Sequence, residues 1–144
     1  MIQGMLDTGS TPVLERLVQF TGERHRHLVN NVANLSTPNF QPRDLSVADF
    51  QKTLSNAVDE RRRRTSGLAN EFRPQDTRQV TFREGGLETR AQTQRDNILF
   101  HDRNNRSVEH AMKELAENAM THNAAIELLR SKFASLETAL RERL

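Results

Sequence analysis

Residues 108–144 read VEHAMKELAENAMTHNAAIELLRSKFASLETALRERL, and the spacing of the apolar residues in this stretch decides the fold. Val108, Met112, Leu115, Ala119, His122, Ile126, Leu129, Phe133, Leu136 and Leu140 follow one another at alternating intervals of four and three, without a slip. Such intervals return to the same side of an α-helix every seven residues and describe a coiled-coil seam. Only His122 on it is polar, while Lys113, Glu114, Glu117, Glu127, Arg130, Lys132 and Arg141 fall off it. Ser107 or Asn105 is placed to cap the start, and Glu109 in the first turn suits the positive end of the helix dipole. A helix over residues 108–144 is roughly 55 Å long at about 1.5 Å per residue.

A seam of this length needs a partner, because burying each large residue on it stabilises by roughly 1.5–3 kcal/mol only against another surface. The internal partner is predicted near the N-terminus. Ser10-Thr11-Pro12 is a start signal: a hydroxyl able to cap, then a proline in the first turn. Leu14, Leu17, Thr21, His25, Leu28, Val32 and Leu35 then recur at intervals of three and four, which predicts a helix over residues 12–34. Thr21 and His25 interrupt the stripe; His25 and His122 read as polar seam positions that set register. Pro38 ends the pattern, since proline cannot continue a helix and disfavours helical geometry at Thr37. Two helices leave much of each stripe uncovered, so helices from neighbouring copies are expected to complete the layer.

Composition agrees with an incomplete globule. In 144 residues only 35% are hydrophobic, there is no Trp or Tyr, and mean hydropathy is -0.75. So polar a chain is expected either to be partly disordered, at its termini above all, or to have its apolar surface completed by other chains. The 21 basic residues against 19 acidic ones leave a net charge of +2, so any strongly basic behaviour has to be local. The absence of cysteine excludes disulfides, thiol nucleophiles and cysteine-ligated zinc. Residues 1–10 have neither a basic start nor an apolar run of signal-peptide length, and no stretch approaches a membrane span.

The chain therefore divides into residues 1–39 (N-terminal helix), 40–105 (variable middle) and 106–144 (C-terminal helix). Within the middle, residues 44–58 predict a short helix with Val47, Phe50, Leu54 and Val58 on one face. Residues 79–83 and 87–92 flank Gly85-Gly86 and predict a small hairpin, and residues 97–101 a further short strand. A lone hairpin is marginal in water, so mobility is the default for this segment.

At residues 31–40 the chain reads Asn-Val-Ala-Asn-Leu-Ser-Thr-Pro-Asn-Phe. The residues Asn31, Val32, Ala33, Asn34, Thr37, Pro38 and Phe40 resemble the motif near the N-terminus of flagellar axial proteins, the rod, hook and hook-associated family. Asn39 stands where that family has glycine, and asparagine is the next most tolerant residue of left-handed geometry. Phe40 replaces the commoner tyrosine. Gln41-Pro42-Arg43-Asp44, followed by Phe50 and Leu54, is similar to the FlgB branch of the rod proteins. So is the C-terminal run from Val108-Glu109-His110-Ala111-Met112 through Leu115-Ala116-Glu117-Asn118 to Ala124-Ala125, Leu129 and Lys132-Phe133. The resemblance covers the two ends and favours FlgB over an FlgC-like rod protein. Physically, Asn31 and Asn34 carry donors and acceptors on the last helical turn, able to satisfy orphan carbonyls there or the backbone of a neighbouring subunit.

Other chemistries find no support. The histidines lack metal-ligand spacing. Arg61, Arg62, Arg63 and Arg64 invite a nucleic-acid reading, as in a basic helical binding protein, but no aromatic lies nearby to stack on a base. There is no glycine-rich phosphate loop and no nucleophile elbow. The expectation is a mainly α structural subunit with no catalytic residues, cofactor or small-molecule substrate. By resemblance it sits in the periplasmic proximal rod of the flagellar basal body, forming drive shaft and export-channel wall. By the same resemblance it is exported without a cleavable signal peptide, and its partners are other rod proteins, the membrane-ring and export base, and copies of itself. Its expected assembly seam comprises Leu14, Leu17, Leu28 and Val32 with the apolar positions from Val108 to Leu140.

Overall fold

Pro12 carries helical φ into the first turn of α1 (Thr11–Ala33), where its missing N–H costs nothing. The Ser10 hydroxyl does not cap this helix. Ser10 itself has near-helical backbone angles, whereas a side-chain cap needs an extended residue there. The computed structural model describes residues 9–63, 72–93 and 108–141. Among these the order is α1, β1 (Arg43–Asp44), α2 (Val47–Arg63), β2 (Val80–Arg83), β3 (Gly86–Thr89), β4 (Gln92–Thr93) and α3 (Val108–Arg141). The fold is mainly α, with long terminal helices and a small β-containing middle. The sequence-predicted strand at residues 97–101, the caps Asn105 and Ser107, Arg64 and residues 142–144 lie outside the described residues.

Ser46 caps α2 from just before it, its Oγ accepting from the Asp49 N–H at 3.2 Å. Asp49 lies in its first turn and Arg61, Arg62 and Arg63 in its last, the arrangement the helix dipole favours. Most of the arginine run is therefore a helix terminus, and Arg61 Nη1 donates to the Gly9 carbonyl at 2.8 Å, tying that terminus to the entry of α1. The hairpin turns at Glu84-Gly85 rather than at Gly85-Gly86: Arg83 pairs with Gly86, and Gly85 has φ 88. Only the second turn residue needs positive φ, so one glycine suffices and Gly86 joins the strand. Strands β1 and β4 form a second antiparallel pair.

The middle segment is not left to itself. Phe20 of α1 stacks on Phe50 of α2 with centroids 3.9 Å apart, and Phe50 lies 6.3 Å from Phe82 of β2. Leu45, Leu54 and Val80 complete the buried cluster, with Val13, Leu17, Phe72 and Leu87 packed around it. The hairpin is anchored by Arg16, whose guanidinium donates to the carbonyls of Gly86 (3.0 Å) and Arg83 (3.1 Å). A polar chain has thus gathered Phe20, Phe50, Phe72 and Phe82 in and around one core, which offsets the marginality of each short element.

Candidate assembly interface

Helix α1 serves two partners because it carries two stripes. Val13, Leu17, Phe20, Arg24 and Asn31 face the middle segment, while Thr21 faces α3. The second stripe was present in the intervals four, three, four and seven, but Arg24 and Asn31 are polar and hide it from an apolar count. Leu17, expected in the assembly seam, is partly buried and packs against the middle-segment core. Leu14 and Leu28 are buried and Val32 is half-buried.

The α1–α3 pairing is antiparallel and polar at its centre. The Thr21 hydroxyl lies 2.8 Å from His122 Nδ1, and Asn118 Nδ2 donates to the Thr21 carbonyl at 2.9 Å. Asn118 and Ala125 are the buried residues of α3. His25, expected on the seam, is exposed. It borders an open groove of about 590 Å³ between the helices, with Val18, Gly22, Ala119 and His122 on its walls. His122, on the heptad, and Asn118 and Ala125, beside it, form the edge that α3 presents to α1, which leaves an apolar flank open. Leu115, Ala119, Ile126, Leu129 and Leu136 are half-buried, whereas Val108, Met112, Phe133 and Leu140 are exposed.

Length sets the rest of the geometry. With Thr21 opposite residues 118–122, α1 starts at Thr11 at about the level of Leu129, and α3 runs on to Arg141, about three turns further. Phe133, Leu136 and Leu140 occupy that extension.

The motif at the end of α1 is a hydrogen-bonded reversal. Buried Asn31 acts as a one-residue strand: its Nδ2 donates to the Arg43 carbonyl (2.8 Å) and its Oδ1 accepts from the Arg43 N–H (3.1 Å). Asn34 Nδ2 donates at 2.9 Å to the Asn30 carbonyl, which also accepts the Asn34 backbone N–H at 3.1 Å. The Thr37 N–H donates to the Asn34 carbonyl, and Asn39 holds φ 61 in the left-handed region. Ala33, Thr37 and Pro38 are exposed and Phe40 is half-buried. Asn31→Ala should destabilise the chain by about 1–3 kcal/mol, because both Arg43 backbone groups lose their partner. Urea unfolding followed by far-UV circular dichroism measures it, and an unchanged midpoint would remove Asn31 from the fold's support.

Arg24 joins three elements. Its Nε lies 2.9 Å and its Nη2 2.6 Å from the two Asp44 oxygens of β1, and its Nη2 lies 3.8 Å from Glu114 of α3. The Asp44 carboxylate also accepts from the Leu45 N–H at 2.7 Å. Arg24 was not singled out by sequence reasoning, and Asp44 and Asn118 entered it only within runs similar to FlgB, since pairing between distant polar residues leaves no periodic signal. Among the described residues, no group of three or more His, Asp and Glu is placed to hold a metal ion, and no helix is long and apolar enough to cross a membrane.

The chain is 27% identical over 135 residues to the flagellar basal body rod protein FlgB of Bacillus subtilis (strain 168), covering 94% of this chain and 95% of that protein. It is 24% identical over 129 residues to the flagellar basal body rod protein FlgB of Aquifex aeolicus (strain VF5), covering 90% of each. Both relatives support a flagellar basal-body rod protein of the FlgB type. No protein-family model matches the chain. The similarity to the FlgB proteins runs through the middle segment, well beyond the two ends on which the sequence resemblance rests.

Proposed function

We propose that this chain is a structural, non-enzymatic subunit of the proximal rod of the bacterial flagellar basal body. Similarity to FlgB proteins of two organisms over nine-tenths of the chain is the observation that carries this reading. Helices α1 and α3 line the inner wall of a tubular rod that transmits torque and surrounds the export channel. Neighbouring copies or other rod proteins cover the open flank of α3 at Val108, Met112, Phe133 and Leu140. The subunit reaches the periplasm through the flagellar export apparatus and joins the membrane-embedded base to the more distal rod. A contact between different surfaces of successive copies need not close into a ring, which is how a helical array grows.

Deleting the gene in its source organism should abolish motility and leave basal bodies without rod and hook by electron microscopy, with both restored by complementation. Normal flagella in the deletion strain would overturn the reading.

A further inference from the structure

The exposed apolar seam residues of α3 sit near its two ends: Val108 and Met112 at the start, Phe133 and Leu140 on the overhang that runs past α1. Phe133 follows Met112 by twenty-one residues, and Leu140 follows Ala119 by the same interval. Twenty-one residues are three heptads, so sliding one copy of α3 past another by that amount sets like seam positions level. The slide brings Phe133 beside Met112, a thioether that packs well on an aromatic ring. It also sets Leu140 level with Ala119. There the groove between α1 and α3 is open, with Val18 and Gly22 on the facing wall, so a leucine meets small residues. Val29, one heptad beyond Gly22, is exposed and extends that wall. Length agrees too: residues 130–141 span about 18 Å, and so do residues 108–119.

Charge distinguishes the two ends. Residues 108–127 carry Glu109, Glu114, Glu117 and Glu127 against Lys113, whereas residues 128–141 carry Arg130, Lys132 and Arg141 against Glu137. The overhang is net basic and the first half of α3 net acidic. On the α1 wall Glu23 and Arg26 pair with each other at 3.2 Å and leave that difference in place. Two overhangs therefore repel, while an overhang and a first half attract, which favours a head-to-tail meeting over a symmetric one.

We propose that the overhang of α3, residues 130–141, docks in the α1–α3 groove of a second copy, staggered by three heptads. Each copy receives one overhang and presents its own to the next. The contact joins different surfaces and does not close on itself. Its place in a rod rests on the proposed function, while the contact is a property of the purified chain and is measured without the other rod proteins.

The chain has no cysteine, so engineered thiols report this contact alone. Positions 112 and 133 lie about 32 Å apart along one helix, far beyond disulfide reach, so any bond between them joins two chains. Full-length Met112→Cys mixed with full-length Phe133→Cys under mild oxidation should give a disulfide-linked dimer, with neither variant dimerising alone. Both substitutions in one chain should give a ladder of oligomers. Because Phe133→Cys removes part of the contact, Ala119→Cys mixed with Leu140→Cys repeats the test with that ring in place. Two mixtures that both stay monomeric overturn the proposal. So does a dimer formed by Phe133→Cys or Leu140→Cys alone, which would mean that overhangs pair symmetrically. Loss of rods in the deletion strain without these crosslinks would keep the rod reading and remove this contact; normal flagella with the crosslinks would do the reverse.

Discussion

Phe50→Ala should lower the stability of the chain by about 3–5 kcal/mol, the largest effect expected of any single substitution. The ring is 1% exposed, stacks on Phe20 and reaches toward Phe82, so it is where α1, α2 and the hairpin meet. Truncation removes two aromatic contacts worth about 0.5–1.5 kcal/mol each beyond area, and leaves a cavity that three short elements must collapse to fill. Against a typical total of about 5–15 kcal/mol, that loss puts the middle segment near its own unfolding midpoint. Urea unfolding and exchange of the α2 amides should both report it. A loss under about 1.5 kcal/mol, the range of a volume-conserving swap, would mean that the ring is not a packed core residue.

Phe133→Asp should leave the free chain folded and abolish assembly. Phe133 is 42% exposed and lies on the part of α3 that extends past α1, so an acid there should change monomer stability by no more than about 0.5 kcal/mol. In an assembly that covers the open flank, the same carboxylate is buried without a partner, which costs several kcal/mol per subunit. The variant gene should therefore fail to restore motility to a deletion strain, while the purified variant keeps its far-UV spectrum and melting temperature. Restored swimming would remove this end of α3 from the subunit contacts. Leu129→Asp should block assembly too, but Leu129 is half-buried in the single chain, so its monomer stability has to be measured alongside.

The helices were legible because their signal is periodic. Intervals of three and four predicted residues 12–34 and 108–144, and the helices observed are Thr11–Ala33 and Val108–Arg141. Helix α2 was legible from Val47, Phe50 and Leu54, and the hairpin from its glycine pair, to within one residue at the turn. The packing between these elements was not. Phe20 is off the apolar stripe of α1 and reads as a stray aromatic until its partner Phe50 arrives from thirty residues away, with Phe82 stacked in turn on Phe50. The side of α3 that meets α1 was hidden for the opposite reason: the apolar heptad is so regular that it draws attention from Asn118, an apparent surface residue that is buried and bonded to Thr21. Long-range polar pairing depends on three-dimensional coincidence, and no local pattern encodes it. Within the motif, the left-handed Asn39 was expected from residue type, whereas the target of Asn31 was not, because a carboxamide does not say which peptide group it will meet.

That target has a consequence for mutational tolerance. Asn31 addresses the N–H and carbonyl of residue 43, never its guanidinium, so the contact is indifferent to the side chain carried there. In a saturation scan, position 43 should accept nearly every residue and reject proline, which has no N–H to offer. Position 31 should accept almost nothing, since few side chains pair a donor with an acceptor at that reach. One half of this contact is thus free to drift over generations while the other stays put, and covariation between the two positions should be absent even though they touch.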